Sequence, residues 1–171
     1  MRNLDVELSA VAAAAAVLAG LGMSPVAHAS TYGPELNGTY TVTSNGDWAK
    51  TNDVYIDEAT VRSTWTISST CSGPTSCTGQ VTSDQGWTAP LRFTEDRWLL
   101  DRVIDNWEPC PNGTAAPGYQ KYMFWGVDAD GQMDPHSNVL AGTDVTHGDS
   151  GACGINKPLV IRLPLRVQKV S

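Results

Sequence analysis

The sequence predicts an all-β fold, a single antiparallel barrel or sandwich of about seven to eight strands stapled by disulfides. Three observations support this prediction: apolar and polar residues alternate in several short runs, turn-forming residues separate those runs, and four cysteines follow an export signal. Alternation indicates half-buried strands, because successive side chains of a strand point to opposite faces of the sheet.

The N-terminus predicts export. Residues 8–21 form an Ala-rich apolar run, followed by Pro25 and a small-x-small end at Ala27-His28-Ala29. This pattern is typical of a secretory signal peptide over residues 1–29. A membrane anchor is the alternative, but the run is shorter than the ~20 apolar residues that span a bilayer. The expected product is one all-β secreted domain, residues 30–171, with no integral membrane segment.

Six runs of the mature chain predict its strands. Four of them alternate between an apolar and a polar face: residues 36–44, 61–69, 87–93 and 159–167. Pro90 in the third run hints at a sheet edge or a bulge, because proline cannot donate to a ladder. Residues 97–104 and 121–127 are apolar on both faces and predict central strands.

The segments between these runs contain turn formers and one candidate helix. Clusters of Gly, Pro, Asn and Asp predict turns at residues 44–47, 84–86, 111–113, 116–118 and 130–131. Residues Thr51 to Ala59 could form one short helix after an Asn or Thr cap.

The four cysteines predict two disulfides, because an exported chain meets an oxidising compartment. Four cysteines allow three connectivities. Cys71 and Cys77 flank a short turn-forming insert that a local bridge can close, which leaves Cys110 to pair with Cys153. A metal site is the alternative use of these residues, but no paired C-x-x-C motif or nearby His spacing supports it.

Charge limits the partners. The chain has 11 Lys and Arg against 18 Asp and Glu, a net charge of −7. Without residues 1–29, ten basic and sixteen acidic residues remain, a net charge of about −6. Repulsion from phosphate argues against nucleic acid and anionic lipid surfaces as partners. No cofactor is predicted.

The string Gly-Asp-Ser-Gly around Ser150 raises the possibility of a chymotrypsin-like protease. That chemistry needs a base within hydrogen-bond reach and a carboxylate that orients the base. The mature chain offers only His136 and His147, and neither lies far upstream as in that family. We therefore interpret the stretch as a Gly-rich turn that delivers Cys153 to a disulfide, with a Ser150 hydrolase as the alternative.

Acidic residues give two further candidates. The stretch of residues 128–134 resembles a calcium loop in Asp128 and Asp130, but its glycine comes too early, so a hairpin turn is the simpler interpretation. A glycosidase needs two carboxylates facing one cleft. The acids Asp101, Asp105 and Glu108 show no spacing that singles out such a pair.

The six tryptophans invite a sugar- or lipid-binding hypothesis, because aromatic faces stack on such ligands. Four of them fall on or beside predicted strands and are expected in the core: Trp65, Trp87, Trp98 and Trp125. Trp48 and Trp107 sit among turn residues and are the better candidates for an exposed rim.

Several stretches resemble a group of small secreted mycobacterial proteins without an assigned activity. The resemblance covers nearly the whole mature chain and rests on residues 38–71, 77–87, 106–118 and 141–167. A shorter pattern, a Trp strand, a Cys pair and the strand Gly79-x-Val81-x-Ser83, resembles extracytoplasmic domains attached to some actinobacterial membrane proteins and kinases. These resemblances imply an exported, disulfide-bonded protein and identify no functional residue.

Together these features predict a secreted, non-catalytic β domain that acts as a binding or interaction module of the cell envelope or extracellular space. Its partner is an unknown small ligand, glycan or protein. The alternatives are the Ser150 hydrolase and a purely structural envelope protein. The binding module is favoured because the sequence predicts a disulfide-linked domain that carries loops, but no group of catalytic residues that would meet at one site.

Overall fold

The computed structural model describes residues 32–171, so the predicted signal peptide lies outside the described residues. Ten strands follow one another: β1 Gly38–Ser44, β2 Lys50–Thr51, β3 Val54–Tyr55, β4 Val61–Gly73, β5 Ser76–Ser83, β6 Thr88–Thr94, β7 Arg97–Pro109, β8 Ala115–Gly126, β9 Val139–His147 and β10 Val160–Lys169. Short 3-10 turns occur at Gly46–Trp48 and Ala152–Gly154. Within residues 32–171, no helix is long and apolar enough to cross a membrane.

The strands form a closed barrel. Its order is β1-β4-β5-β6-β7-β8-β9-β10, all neighbours are antiparallel, and β1 pairs with β10 to close it. The short strands β2 and β3 extend the sheet outward from β10. The all-β prediction is confirmed. Of the two predicted architectures, barrel or sandwich, the structure adopts the barrel.

The predicted alternation is confirmed in the barrel wall. Trp65 and Ile67 of β4 are buried, and Thr64 and Thr66 between and beside them face outward. The inward residues of the barrel strands form one hydrophobic cluster: Tyr40, Val42, Trp65, Ile67, Cys77, Val81, Ala89, Leu91, Phe93, Trp98, Leu100, Tyr122, Phe124, Leu140, Leu165 and Val167. Side chains therefore fill much of the interior, as in other barrels of about eight strands.

The predicted helix at residues 51–59 is wrong. β2 and β3 form a hairpin there, and its two turn residues have positive φ, 50° at Asn52 and 68° at Asp53. Such a two-residue turn matches the twist of the flanking strands. Asn and Asp tolerate the left-handed region better than other side chains, which explains the choice of hairpin over helix.

Pro90 does not mark a sheet edge. β6 has neighbours on both sides, and Pro90 pairs with Gln80 of β5. The ladder between β6 and β7 stops at the Leu91–Leu100 pair. Pro90 therefore sits just beyond that ladder, where a missing N–H removes no bond to β7.

Both predicted disulfides are present, one at each end of the barrel. Cys71–Cys77 joins β4 to β5 at the end that also carries the β6–β7 turn and the β8–β9 loop, which we call the pocket end. Cys110–Cys153 joins the β7–β8 and β9–β10 loops at the opposite end, which we call the polar end.

Candidate functional site

The pocket end holds an apolar pocket of about 350 Å³. Its walls come from the N-terminal segment 32–36, the β4–β5 and β6–β7 turns, and the β8–β9 loop. The lining residues are Tyr32, Pro34, Leu36, Pro74, Phe93, Asp96, Trp98, Trp125, Gly126, Met133, Pro135 and Leu140. Among these lining residues, Asp96 alone carries a charge. Clefts of this size and composition suit small apolar ligands.

Hydrogen bonds fix the N-terminal wall of this pocket. The Trp98 indole Nε1 donates to the Pro34 carbonyl oxygen at 3.1 Å. The Leu36 N–H donates to Ser69 Oγ at 2.8 Å, and Ser69 Oγ donates to the Leu36 carbonyl oxygen at 3.0 Å. Because these contacts are buried, the wall is pre-formed and does not need to be ordered by a ligand.

The outer rim of the pocket is apolar and exposed. Met133 is 53% exposed and Tyr32 is 44% exposed. Trp125 was predicted in the core, but it is only half-buried: it lies on the outer face of β8, where the Arg97 guanidinium stacks 5.7 Å from its ring centroid. The prediction for Trp125 is wrong because alternation along β8 turns Tyr122 and Phe124 inward and Trp125 outward.

The polar end has a different interior. Asp144 on β9 is only 2% exposed, and its two carboxylate oxygens accept hydrogen bonds from Ser44 Oγ at 2.7 Å and Gln120 Nε2 at 2.8 Å. Burial raises the pKa of Asp144, whereas these two hydrogen bonds and the charge of Arg102 lower it; burial is the largest influence.

Arg102 completes this buried polar cluster. Its Nε donates to Gln120 Oε1 at 2.6 Å, and its guanidinium lies 4.5 Å from the Trp87 ring centroid. Burial and then the neighbouring Asp144 raise the pKa of Tyr122. This cluster was not predicted from the sequence. Asp144 and Thr146 were a signal for it, because they are polar residues on the inward-facing side of β9.

The structure does not assemble a nucleophile at Ser150. Within residues 32–171, neither histidine ring hydrogen-bonds Ser150. The His147 ring instead stacks on Tyr119 at 5.5 Å, and its Nδ1 lies 3.2 Å from the Gly148 carbonyl oxygen. His136 belongs to the opposite, pocket end, where its ring lies against Gly33.

The stretch around Ser150 works as a turn. Gly148 is buried, and a Cβ added there would come within 2.5 Å of the Glu108 carboxylate. Gly151 has a φ of +91°, which favours glycine. These two glycines let the loop pass over β7 and bring Cys153 to Cys110.

The acidic candidates lie in different environments along β7. Asp101 lies on the outer wall, where it pairs with Arg92 at 2.7 Å and Lys121 at 3.6 Å. Glu108 is buried beneath Gly148 at the polar end, and Asp105 is exposed in the irregular part of β7. These acids therefore do not face one cleft.

The acidic loop at residues 128–134 is a hairpin turn. Oδ1 of Asp128 accepts from the backbone N–H groups of Asp130 at 2.9 Å and Gln132 at 2.8 Å. Among residues 32–171, no group of three His, Cys, Asp or Glu side chains is placed to hold a metal ion.

The remaining tryptophans divide between core and surface. Trp65 and Trp98 are buried, and Trp87 packs against the core from its margin, as predicted. Trp48 is 64% exposed, also as predicted. Trp107 is not an exposed rim residue: it is half-buried, and a Cβ on Gly118 would lie 2.6 Å from its ring.

Comparisons with known proteins show a fold that this chain shares with a solved structure. No family model matches the chain, and no curated protein matches it significantly. The solved monomer form of the Mycobacterium tuberculosis PknI sensor domain superposes with a TM-score of 0.58 at 17% identity, over 80% of this chain and 88% of that one. The two chains share a fold. At this identity the likeness concerns the fold alone.

Proposed function

We propose that this protein is an exported, non-catalytic binding domain that holds a small apolar molecule in the pocket at the pocket end of the barrel. The single observation that carries the proposal is the pocket itself: about 350 Å³ of space walled by aromatic, proline and aliphatic side chains. An apolar ligand that leaves water for such walls gains about 25 cal/mol per Å² of buried area.

The location of the pocket also supports binding. Core side chains fill much of the barrel interior, so a ligand site at the barrel mouth does not compete with the packing that stabilises the fold. The wall is held by the Trp98–Pro34 hydrogen bond, whereas Tyr32 and Met133 at the rim are exposed and free to adjust. A rigid floor with an adaptable rim is suited to ligand capture.

Export and a non-catalytic role have independent support. The two disulfides are consistent with an oxidising compartment. The fold is shared with a domain described as a sensor domain, and a sensor is a kind of binding module. The hydrolase alternative is weakened because Ser150 and the two histidines of the mature chain are not joined by hydrogen bonds in the described residues.

The proposal is tested with N-phenyl-1-naphthylamine, an uncharged probe whose fluorescence rises in an apolar site. We expect saturable binding to the wild-type protein. Met133→Asp, which places a carboxylate at the exposed rim, should weaken binding at least tenfold, because a charge in an apolar pocket is costly to desolvate.

The matched control is Trp48→Asp, which introduces the same charge at an exposed apolar position outside the pocket. It should leave the affinity within twofold of wild type. Absence of saturable binding by the wild-type protein, or equal weakening by the two variants, would refute the proposed pocket.

A further inference from the structure

A row of side chains crosses the outer wall of the barrel, well away from the apolar pocket. The ladders of β7, β8, β9, β10, β2 and β3 place one residue from each strand directly opposite the next, and paired residues share a face of the sheet. The row runs Asp101, Lys121, Val145, Arg162, Lys50, Tyr55. Three of its six members are cations.

The row is long enough to contact an extended polymer. Neighbouring strands are about 4.8 Å apart, so the four steps from Lys121 to Tyr55 span roughly 19 Å. Two concavities lie along it, one of about 540 Å³ and one of about 310 Å³, and both are lined by Thr143 and Arg162. The two concavities therefore adjoin at these residues, and together we call them the wall groove.

Aromatic rings stand at both ends of the wall groove. Trp48 and Tyr55 line one end and are 64% and 67% exposed. Tyr119 and His147 line the other end as a stacked pair with centroids 5.5 Å apart. Exposed aromatic faces at a distance from each other suit sugar rings, which are apolar on one face and polar at the edge.

The charge of the wall groove is opposite to that of the chain. The protein carries a net charge of −7, yet Lys50, Lys121 and Arg162 line this groove together. The acids beside them are already engaged: Asp101 pairs with Arg92 and Lys121, and Asp149 accepts from the Tyr119 hydroxyl at 3.2 Å. Lys50 and Arg162 remain for an anion at the end bordered by Trp48 and Tyr55.

We infer that the wall groove binds an acidic polysaccharide, with Lys50 and Arg162 pairing with its carboxylates and Trp48 and Tyr55 stacking on its sugar rings. This site is separate from the apolar pocket and does not depend on it. Lys50 already lies 4.6 Å from the Tyr55 ring centroid, so the cation and the aromatic platform are held together before any ligand arrives.

The test measures the affinity of the full chain for oligogalacturonate by calorimetry. Arg162→Glu combined with Lys50→Glu should weaken binding at least tenfold, and rising salt should weaken wild-type binding, because exposed charges are screened. Trp48→Ala combined with Tyr55→Ala should also weaken it severalfold. Uncharged dextran of similar length should bind at least tenfold more weakly than oligogalacturonate.

The control is Arg62→Glu, which reverses one charge on the outer face of β4, outside the wall groove. Its affinity should stay within twofold of wild type. Equal loss in Arg62→Glu, equal binding of dextran, or full affinity after removal of both aromatic rings would each overturn the inference. Probe binding at the apolar pocket should be unchanged in all of these variants, which separates this inference from the proposed function.

Discussion

The interiors of the two ends of the barrel differ in polarity. The pocket end has an apolar interior of Phe93, Trp98 and Leu140 that opens into a pocket, and its disulfide closes only a short turn. The polar end has a buried network around Asp144 and a disulfide that joins two distant loops. One end therefore leaves an apolar pocket open, which is the proposed ligand site, and the other is closed by covalent and polar contacts.

We expect this difference to separate the residues that determine stability from those that determine ligand affinity. A pocket needs apolar surface without a partner, which contributes nothing to folding while it is empty. The polar end instead carries a disulfide that ties together two loops distant in sequence, which stabilises the fold. Changes at the polar end should therefore act on stability, and changes at the pocket end on ligand affinity.

The largest expected effect is the loss of the Cys110–Cys153 disulfide. The two cysteines are 43 residues apart, so the double Cys→Ser variant should lose about 4 kcal/mol of unfolding free energy through the added freedom of the unfolded chain. Cys71 and Cys77 are 6 residues apart, and their double variant should lose about 2 kcal/mol. Denaturant unfolding of the two variants measures both values. A larger loss for the Cys71–Cys77 variant would contradict the division between the ends.

A smaller, pH-dependent effect is expected at Asp144. Because burial raises its folded-state pKa above the ordinary value of 3.8, the folded protein binds the proton more tightly than the unfolded chain does. This contribution to stability is present at acid pH and is lost as pH rises from about 4 through the folded-state pKa.

The variant Asp144→Asn, which keeps the shape but cannot ionise, isolates this contribution. Relative to wild type, it should gain stability as pH rises from about 4 to neutral. Denaturant unfolding at several pH values measures the difference. A stability difference that is constant with pH, or that moves in favour of wild type at neutral pH, would show that burial does not raise the folded-state pKa of Asp144.

The smallest expected effect is that of Ser150→Ala. Ser150 is exposed in the β9–β10 loop, and surface changes of this kind usually alter stability by less than about 0.5 kcal/mol. Neither unfolding nor probe binding should change. Labelling with a fluorophosphonate gives the complementary test: stoichiometric modification of Ser150 would restore the hydrolase hypothesis.

Local patterns predicted the barrel wall well. Period-two alternation identified the strands that carry Tyr40, Trp65, Leu91 and Leu165, and the short insert between Cys71 and Cys77 identified the disulfide pairs. These features depend on neighbours in sequence, so one sequence is enough to find them. The hairpin at Asn52-Asp53 could have been predicted from the sequence for the same reason, since both residues favour a left-handed turn.

The sites depend on contacts between residues distant in sequence. The pocket brings Pro34, Pro74, Trp98 and Met133 together, and no local pattern links them. The row Lys121, Arg162, Lys50 depends on the strand order and the register of β8 to β10 and of β2. Neither order nor register follows from alternation alone, which explains why both sites emerged only from the structure.

The most direct test of the proposed pocket follows the indole N–H signals of the six tryptophans by NMR during titration with N-phenyl-1-naphthylamine. Trp98 and Trp125 line the pocket, whereas Trp48, Trp65, Trp87 and Trp107 do not. We predict that the signals of Trp98 and Trp125 shift with the probe concentration and that those of the other four stay in place. Shifts confined to Trp48, Trp87 or Trp107 would contradict the account.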